Sequence, residues 1–314
     1  MFSLVRKVTL LSICMSLLSF FNYNHYSEKL ISPDNYSYYS DYFVFIADDE
    51  AAPLVIPLDM NWSINTNGYT KEFKSWYGTK NHWPIAYVKK KVTSAFDSIP
   101  KESWEHISTK TFQFQTTTRQ IITKIPGAPA VHLTIPEKSK WVAMPSDTTE
   151  KEIYAFRTTA KVKKKIRKGW MIYERIRWSA SAVKNFGDFE TFFWIPLVIN
   201  GDFFHFEQHK GKQTATKWSF NGTQVKVSSL PSFILQTITT TKDKISGRDN
   251  IPKTIQVQAP EWNLDITLKS SGSQVGHGAK FANGLAYYRQ SLLEPTKTSK
   301  TKGYGMLELI IEND

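Results

Sequence analysis

Residues 191–211 read TFFWIPLVINGDFFHFEQHKG, two apolar runs joined by Asn200-Gly201. An Asn-Gly pair between two such runs is a strong hairpin signal, because both residues tolerate the positive φ of a type I′ turn. The outgoing run, 191–199, is apolar on both faces and predicts a buried strand, with Pro196 marking a bulge or bend. In the return run, strand geometry sends His205, Glu207 and His209 to one side and Phe204, Phe206 and Gln208 to the other. Three proton-carrying or metal-ligating side chains therefore share a face, together with Phe203.

A period of two continues outward from this hairpin. Residues 111–122, 130–136, 152–162 and 169–178 are rich in aromatic and β-branched residues between Gly, Pro or charge clusters, and each predicts a strand. Asn221-Gly222 repeats the hairpin signal between ATKWSF and TQVKVSS. In EWNLDITL (261–268) Trp262, Leu264, Ile266 and Leu268 alternate with polar residues, as in a half-buried antiparallel strand. In the segment 25–110, DYFVFIA and PLVIPLDMNW read as strands, and NTNGYTKEFKSWYGTKNHW as an irregular aromatic loop. No ten-residue helical stripe follows the N-terminus, so the class is all-β, in antiparallel sandwiches or barrels.

Composition narrows the function. The 314-residue chain suffices for two domains, and a net charge of +12 favours anionic surfaces. Its 10 Trp, 14 Tyr and 20 Phe speak for a folded protein. Cys14 is the single cysteine and lies in an apolar N-terminal stretch; a mature chain without that stretch has no disulfide, thiolate nucleophile or Cys-ligated zinc. Arg6 and Lys7 ahead of the apolar run Val8 to Phe21 give residues 1–24 the order of an export signal, with an uncleaved membrane anchor as the alternative. The dinucleotide glycine fingerprint, the phosphate loop, Gly-x-Ser-x-Gly and His-Glu-x-x-His are all missing, so no cofactor is expected. Nucleic acid is not expected as a partner, since net charge alone would support it. The charge run KVKKKIRKG (161–169), with Lys163, Lys164, Lys165 and Arg167, reads either as a solvated hairpin tip or as a contact for an anionic membrane.

The order APEWNLDITL, GLAYYRQSLL, KGYGMLELII over residues 213–314 resembles the closing strands of the lipocalin-like superfamily of AttH-type proteins, carotenoid 1,2-hydratases (hydroxyneurosporene synthases) and fungal Diels–Alderase-like proteins. Glu261-Trp262, Tyr287-Tyr288 and Gly303 to Glu308 carry the likeness, and Arg289 stands where the family often has Glu. FEQHKG (206–211) is similar to the family's Asp-His-x-Trp-Gly segment at Glu207 and Gly211, with Gln208 and Lys210 replacing the His and Trp. The resemblance implies two tandem lipocalin-like barrels, spanning 25–212 and 213–314, and a lipophilic small molecule as ligand.

Several readings of the 203–211 strand stay open. His205, Glu207 and His209 face water; or they face a cavity or the cleft between barrels, where Glu207 and His205 act as general acid and base on a polyene; or they bind a metal, which would need a bulge and a fourth ligand such as His132 or Glu174. No metal is the expectation. Glu174 sits among Trp170, Ile172, Ile176 and Trp178 and either pairs with an Arg across the sheet or is a second cavity carboxyl. Trp194 and Tyr287, with His209 and Glu174, are the candidate ligand contacts. The expected function is an exported binder of a lipophilic molecule with isomerase or hydratase activity. The alternative is a non-enzymatic envelope or interaction protein that docks through the basic hairpin.

Overall fold

A computed structural model describes residues 36–49, 51–65, 68–92, 103–106, 108–144, 151–179, 191–209, 211–244, 247–281, 284–296 and 302–312. The N-terminal segment 1–24 lies outside them. The described residues form strands joined by turns and short 3-10 segments. Among them no helix is long and apolar enough to cross a membrane.

The first sheet comprises β1 (Tyr36–Ala47), β2 (Val55–Asn65), β3 (Gly68–Trp76), β4 (Ile85–Val92), β5 (Phe112–Gln115), β6 (Gln120–Thr123), β7 (Val131–Thr134), β8 (Val142–Ala143), β9 (Lys151–Val162) and β10 (Lys165–Ser179). Its order is β4-β3-β2-β1-β10-β9-β7-β6-β5, with β8 paired to β9. The second sheet comprises β11 (Phe192–Ile199), β12 (Asp202–His209), β13 (Lys212–Phe220), β14 (Val225–Leu230), β15 (Ile234–Thr241), β16 (Ile251–Ala259), β17 (Leu264–Phe281), β18 (Gly284–Pro295) and β19 (Gly303–Glu312). Its order is β14-β13-β12-β11-β19-β18-β17-β16-β15. Each sheet is a curled, antiparallel half-barrel, consistent with the lipocalin-like tandem. The division between sheets falls between Ser179 and Phe192, so β11 and β12 both belong to the second sheet.

The hairpin forms as read. Asn200 and Gly201 adopt φ of 51° and 85°, and β11 and β12 pair from Ile199↔Asp202 to Phe193↔Gln208. β11 runs without a bulge through Pro196. There the backbone of β19 comes so close that a Cβ on Gly305 would strike the Pro196 carbonyl. At Asn221-Gly222 a hairpin also forms, but with a longer loop that brings Phe220 against Val225. The Asn221 carboxamide oxygen caps that loop by accepting from the Thr223 and Gln224 amides.

Three readings need correction. The run 111–122 is two short strands, β5 and β6, because Arg119 turns to φ 49° and breaks it. Glu261 and Trp262 lie in a 3-10 turn, and the strand starts at Leu264, after Asn263 in a left-handed conformation. The aromatic loop of 65–83 contains β3, whose charged residues Glu72 and Lys74 are buried. A charge facing inward hides the strand period.

Alternation gives each central strand two duties. Phe43 and Tyr173 stack 4.3 Å apart on the first sheet's own side, beside Trp104, Trp141 and Phe156. The opposite side of β1 and β10 packs on the second sheet. Trp170 stacks on Phe203 at 5.9 Å and its Nε1 donates to the Gly201 carbonyl, while Trp218 Nε1 donates to the Val142 carbonyl. Trp194, Val198, Phe203, Leu292, Tyr304 and Met306 thereby join the first core. Ile195, Leu197, Phe204, Phe206, Leu307 and Leu309, from the other side of the same strands, make a second core. Each fully buried side chain of this kind stabilises by about 1.5–3 kcal/mol.

Candidate functional site at the junction of the sheets

Strand register lays two polar rows against each other. On the first sheet Lys74 stands beside Asp59, Asp59 beside Tyr42, and Tyr42 beside Glu174. On the second, Glu207 stands beside Trp194, Trp194 beside Glu308, and Glu308 beside Gln290. Cross-strand partners share a face, so both rows look into the junction and bond across it. Tyr42 donates its hydroxyl to Glu308 Oε2 at 3.1 Å, and Trp194 Nε1 donates to Glu174 Oε1 at 2.7 Å. Gln290 Nε2 donates to both Glu308 Oε2 and the Tyr42 hydroxyl, each at 2.9 Å.

Lys151, from the start of β9, reaches into one end. Its Nζ lies 2.6 Å from Glu207 Oε2 and 3.4 Å from Glu174 Oε1. His205 is fully buried, edge-on to Trp194. Its Nε2 is 3.8 Å from Glu174 and 3.9 Å from Glu207, beyond hydrogen-bond length, and neither ring nitrogen has a hydrogen-bond partner. Glu207 and Lys151 keep 20% and 26% of their side-chain surface exposed, so solvent meets the cluster at this end.

The environments push proton affinities apart. Burial lifts Glu308 to about 7, helped by the charges of Glu174 and Asp59 and opposed by the Gln290 and Tyr42 hydrogen bonds. Burial likewise raises Glu174, against the pull of Lys151. For Glu207, burial acts upward but is outweighed by the charge and hydrogen bond of Lys151, which hold it below the usual carboxylate range. Burial lowers His205 to about 3, so its ring is neutral at pH 7. A neutral imidazole with both nitrogens unengaged can hold a water or hydroxyl, and carboxyl groups of opposed affinity can divide acid and base roles.

The sequence candidates divide cleanly. His205, Glu207, Glu174 and Trp194 come together. Glu174 pairs with Lys151 rather than with an arginine. Glu174, His205 and Glu207 each offer an atom within 4.8 Å of the others, a spacing a cation could use; the Lys151 ammonium already stands between the two carboxylates. His209 lies farther along β12, half-buried and edge-on to Phe192 at 5.8 Å. His132 lies on β7, on the far side of β9 from the cluster. Tyr287 faces the second core. Lys163, Lys164 and Lys165 form an exposed hairpin tip, whereas Arg167 is tucked against Asp49 and the Ala52 carbonyl. Sequence reasoning missed Tyr42, Lys151 and Gln290, and took Glu308 only as part of a motif. The signal for Glu308 was a carboxyl inside the apolar run Met306 to Ile311, on the same side as Tyr304 and Met306.

No family model matches the chain, and no curated protein is similar to it in sequence. Solved structures do match. A Nitrosomonas europaea protein assigned to AttH aligns over 91% of this chain and 97% of its own, with 11% identity and a TM-score of 0.53. Kievitone hydratase from Nectria haematococca aligns over 88% of this chain and 90% of its own, with 12% identity and a TM-score of 0.50. The chain thus has the lipocalin-like fold of AttH-type proteins over both of its sheets.

Proposed function

We propose that the protein binds an unsaturated lipophilic small molecule at the junction of its sheets and protonates it, as a hydratase or isomerase, with Glu308 as proton donor. The observation that carries this reading is a carboxyl held near pKa 7 by burial, fixed by Tyr42 and Gln290, and reached across the sheet from an ionised Glu207. Protonation of one alkene carbon breaks the π bond and leaves a carbocation at the other. Either water adds there and gives its extra proton to the Glu207 carboxylate, or a neighbouring carbon gives a proton to that carboxylate and the double bond moves. His205, neutral and without a hydrogen-bond partner, orients the water. A hydratase among the structural neighbours supports the class of reaction.

Mass spectrometry of native protein from its own host identifies the ligand as a co-purifying lipophilic mass. With that compound, Glu308→Gln should retain binding while turnover falls about 10²–10⁴-fold, the usual worth of a general acid. Wild-type turnover should fall as pH rises through about 7, where Glu308 ionises. Undiminished turnover in the variant removes Glu308 from the mechanism.

A second reading rests on the β9–β10 tip, where Ile166 is 68% exposed among Lys163, Lys164 and Lys165. Cations around an exposed aliphatic side chain suit an anionic membrane surface. It accords with export or anchoring through residues 1–24.

A further inference from the structure

His205 is a fully buried imidazole whose two ring nitrogens have no hydrogen-bond partner among the described residues, although carboxyl groups stand on two sides of it. An unpaired buried polar group is costly to keep. Burial leaves the ring neutral, with a lone pair on one nitrogen. A neutral imidazole beside carboxylates is the form in which these side chains bind metal ions.

The three donors come from both sheets. His205 and Glu207 are alternate residues of β12, which pairs in unbroken register with β11 and β13. Glu174 comes from β10, across the junction. His205 Nε2 is 3.8 Å from Glu174 Oε1 and 3.9 Å from Glu207 Oε2, and one donor atom of each residue lies within 4.8 Å of the others. Ligand atoms around a tetrahedral zinc stand about 3.3–3.6 Å apart, given bonds of 2.0–2.2 Å, so side-chain movements of about 1 Å bring the three into coordination range.

The Lys151 ammonium marks the position a cation would take. Its Nζ is 2.6 Å from Glu207 Oε2 and 3.4 Å from Glu174 Oε1. The Lys151 and Glu207 side chains keep 26% and 20% of their surface in solvent, which gives an ion a way in and the ammonium a way out. A dication balances two carboxylates, where an ammonium balances one. Trp194 Nε1 donates to Glu174 Oε1 at 2.7 Å, the kind of outer hydrogen bond that orients a ligating carboxylate.

We propose that Glu174, His205 and Glu207 form a binding site for one zinc-class divalent cation, which displaces the Lys151 ammonium as it enters. Imidazole selects zinc and its transition-metal neighbours over magnesium and calcium, which prefer oxygen ligands alone. Three protein ligands leave the fourth position to water. On the reading proposed above Glu207 is the proton acceptor, and a cation on its carboxylate occupies the lone pairs that would take the proton. The filled site is then the inactive state. Binding is read without turnover, so the two proposals stand or fall separately.

Untagged protein, freed of metal by chelation, is titrated with zinc chloride by calorimetry and with cobalt chloride by visible absorption. Wild-type protein should take up one equivalent of zinc and give the visible bands of a low-coordinate cobalt ion, both unchanged by excess magnesium. His205→Phe should weaken zinc binding about 100-fold or more, at least the cost of losing an outer-shell partner. Lys151→Met removes the competing ammonium and should tighten it about tenfold. Glu308→Gln should bind zinc as wild-type protein does, whatever becomes of its turnover. Absence of stoichiometric uptake by wild-type protein overturns the proposal without any variant, which covers the case in which a variant does not fold by circular dichroism. Zinc binding that folded His205→Phe retains is adventitious and overturns it too, as does weaker binding by folded Lys151→Met.

Discussion

The two faces of β12 differ in how far they are satisfied. Phe204 and Phe206 stack on the second core with Phe233 and Trp262 as ring neighbours, and nothing polar is left open on them. One residue away, His205 is just as buried, yet both of its nitrogens lack partners, and two carboxylates stand just beyond bonding length. A strand selected for stability alone would place an apolar ring there. The contrast separates a face that holds the fold from one that keeps polar atoms ready for something else.

The largest expected effect breaks the apolar face. Phe206→Ala should cost about 3–5 kcal/mol in urea unfolding, through lost burial and the cavity left behind. His205→Phe should be near neutral or stabilising, since an apolar ring replaces one with unmet hydrogen bonds. If His205→Phe destabilises as much as Phe206→Ala, the junction face is structural and the contrast fails.

Stability against pH sharpens the same comparison at smaller magnitude. His205 has a folded pKa of about 3 against 6.5 unfolded, so the unfolded chain binds the proton more readily. Its contribution is full above 6.5 and is lost as pH falls toward 3, with a limiting slope of about 1.4 kcal/mol per pH unit. Glu308, raised to about 7 from 4.5, acts in the other direction. The folded state binds that proton more readily, so this contribution is full below 4.5 and is lost as pH rises toward 7. His205→Phe should flatten the first dependence and Glu308→Gln the second, each measured by unfolding titrations across pH 4–8. Variants that leave both limbs unchanged would place these groups in contact with water.

Much of this was legible in single segments. The Asn200-Gly201 hairpin, the shared face of His205 and Glu207, and the apolar company of Glu174 follow from period two and turn chemistry. The resemblance in the last third covers residues 213–314, whereas the structural likeness extends over 91% of the chain. The rest of the site was illegible for a physical reason. Tyr42 and Lys151 sit on strands of the first sheet and Gln290 and Glu308 on strands of the second, so the two pairs meet only when the sheets stack, and no local pattern encodes that stacking. β3 was hidden because Glu72 and Lys74 point inward, where Lys74 finds Asp59 on the neighbouring strand at 3.4 Å. The period rule assumes that charge faces water.

The smallest effect on stability belongs to the β9–β10 tip, where sequence treats four basic residues alike and structure does not. Lys163, Lys164 and Lys165 are exposed, and reversing all three to Glu should change unfolding free energy by no more than about 0.5 kcal/mol. Arg167 is held by Asp49 and the Ala52 carbonyl, so Arg167→Ala should cost about 1 kcal/mol. If the tip docks on membranes, the lysine variant loses binding to phosphatidylserine liposomes in a flotation assay, and Arg167→Ala keeps it. Graded loss in both, in proportion to charge removed, would assign the binding to the net +12 of the whole chain rather than to this hairpin.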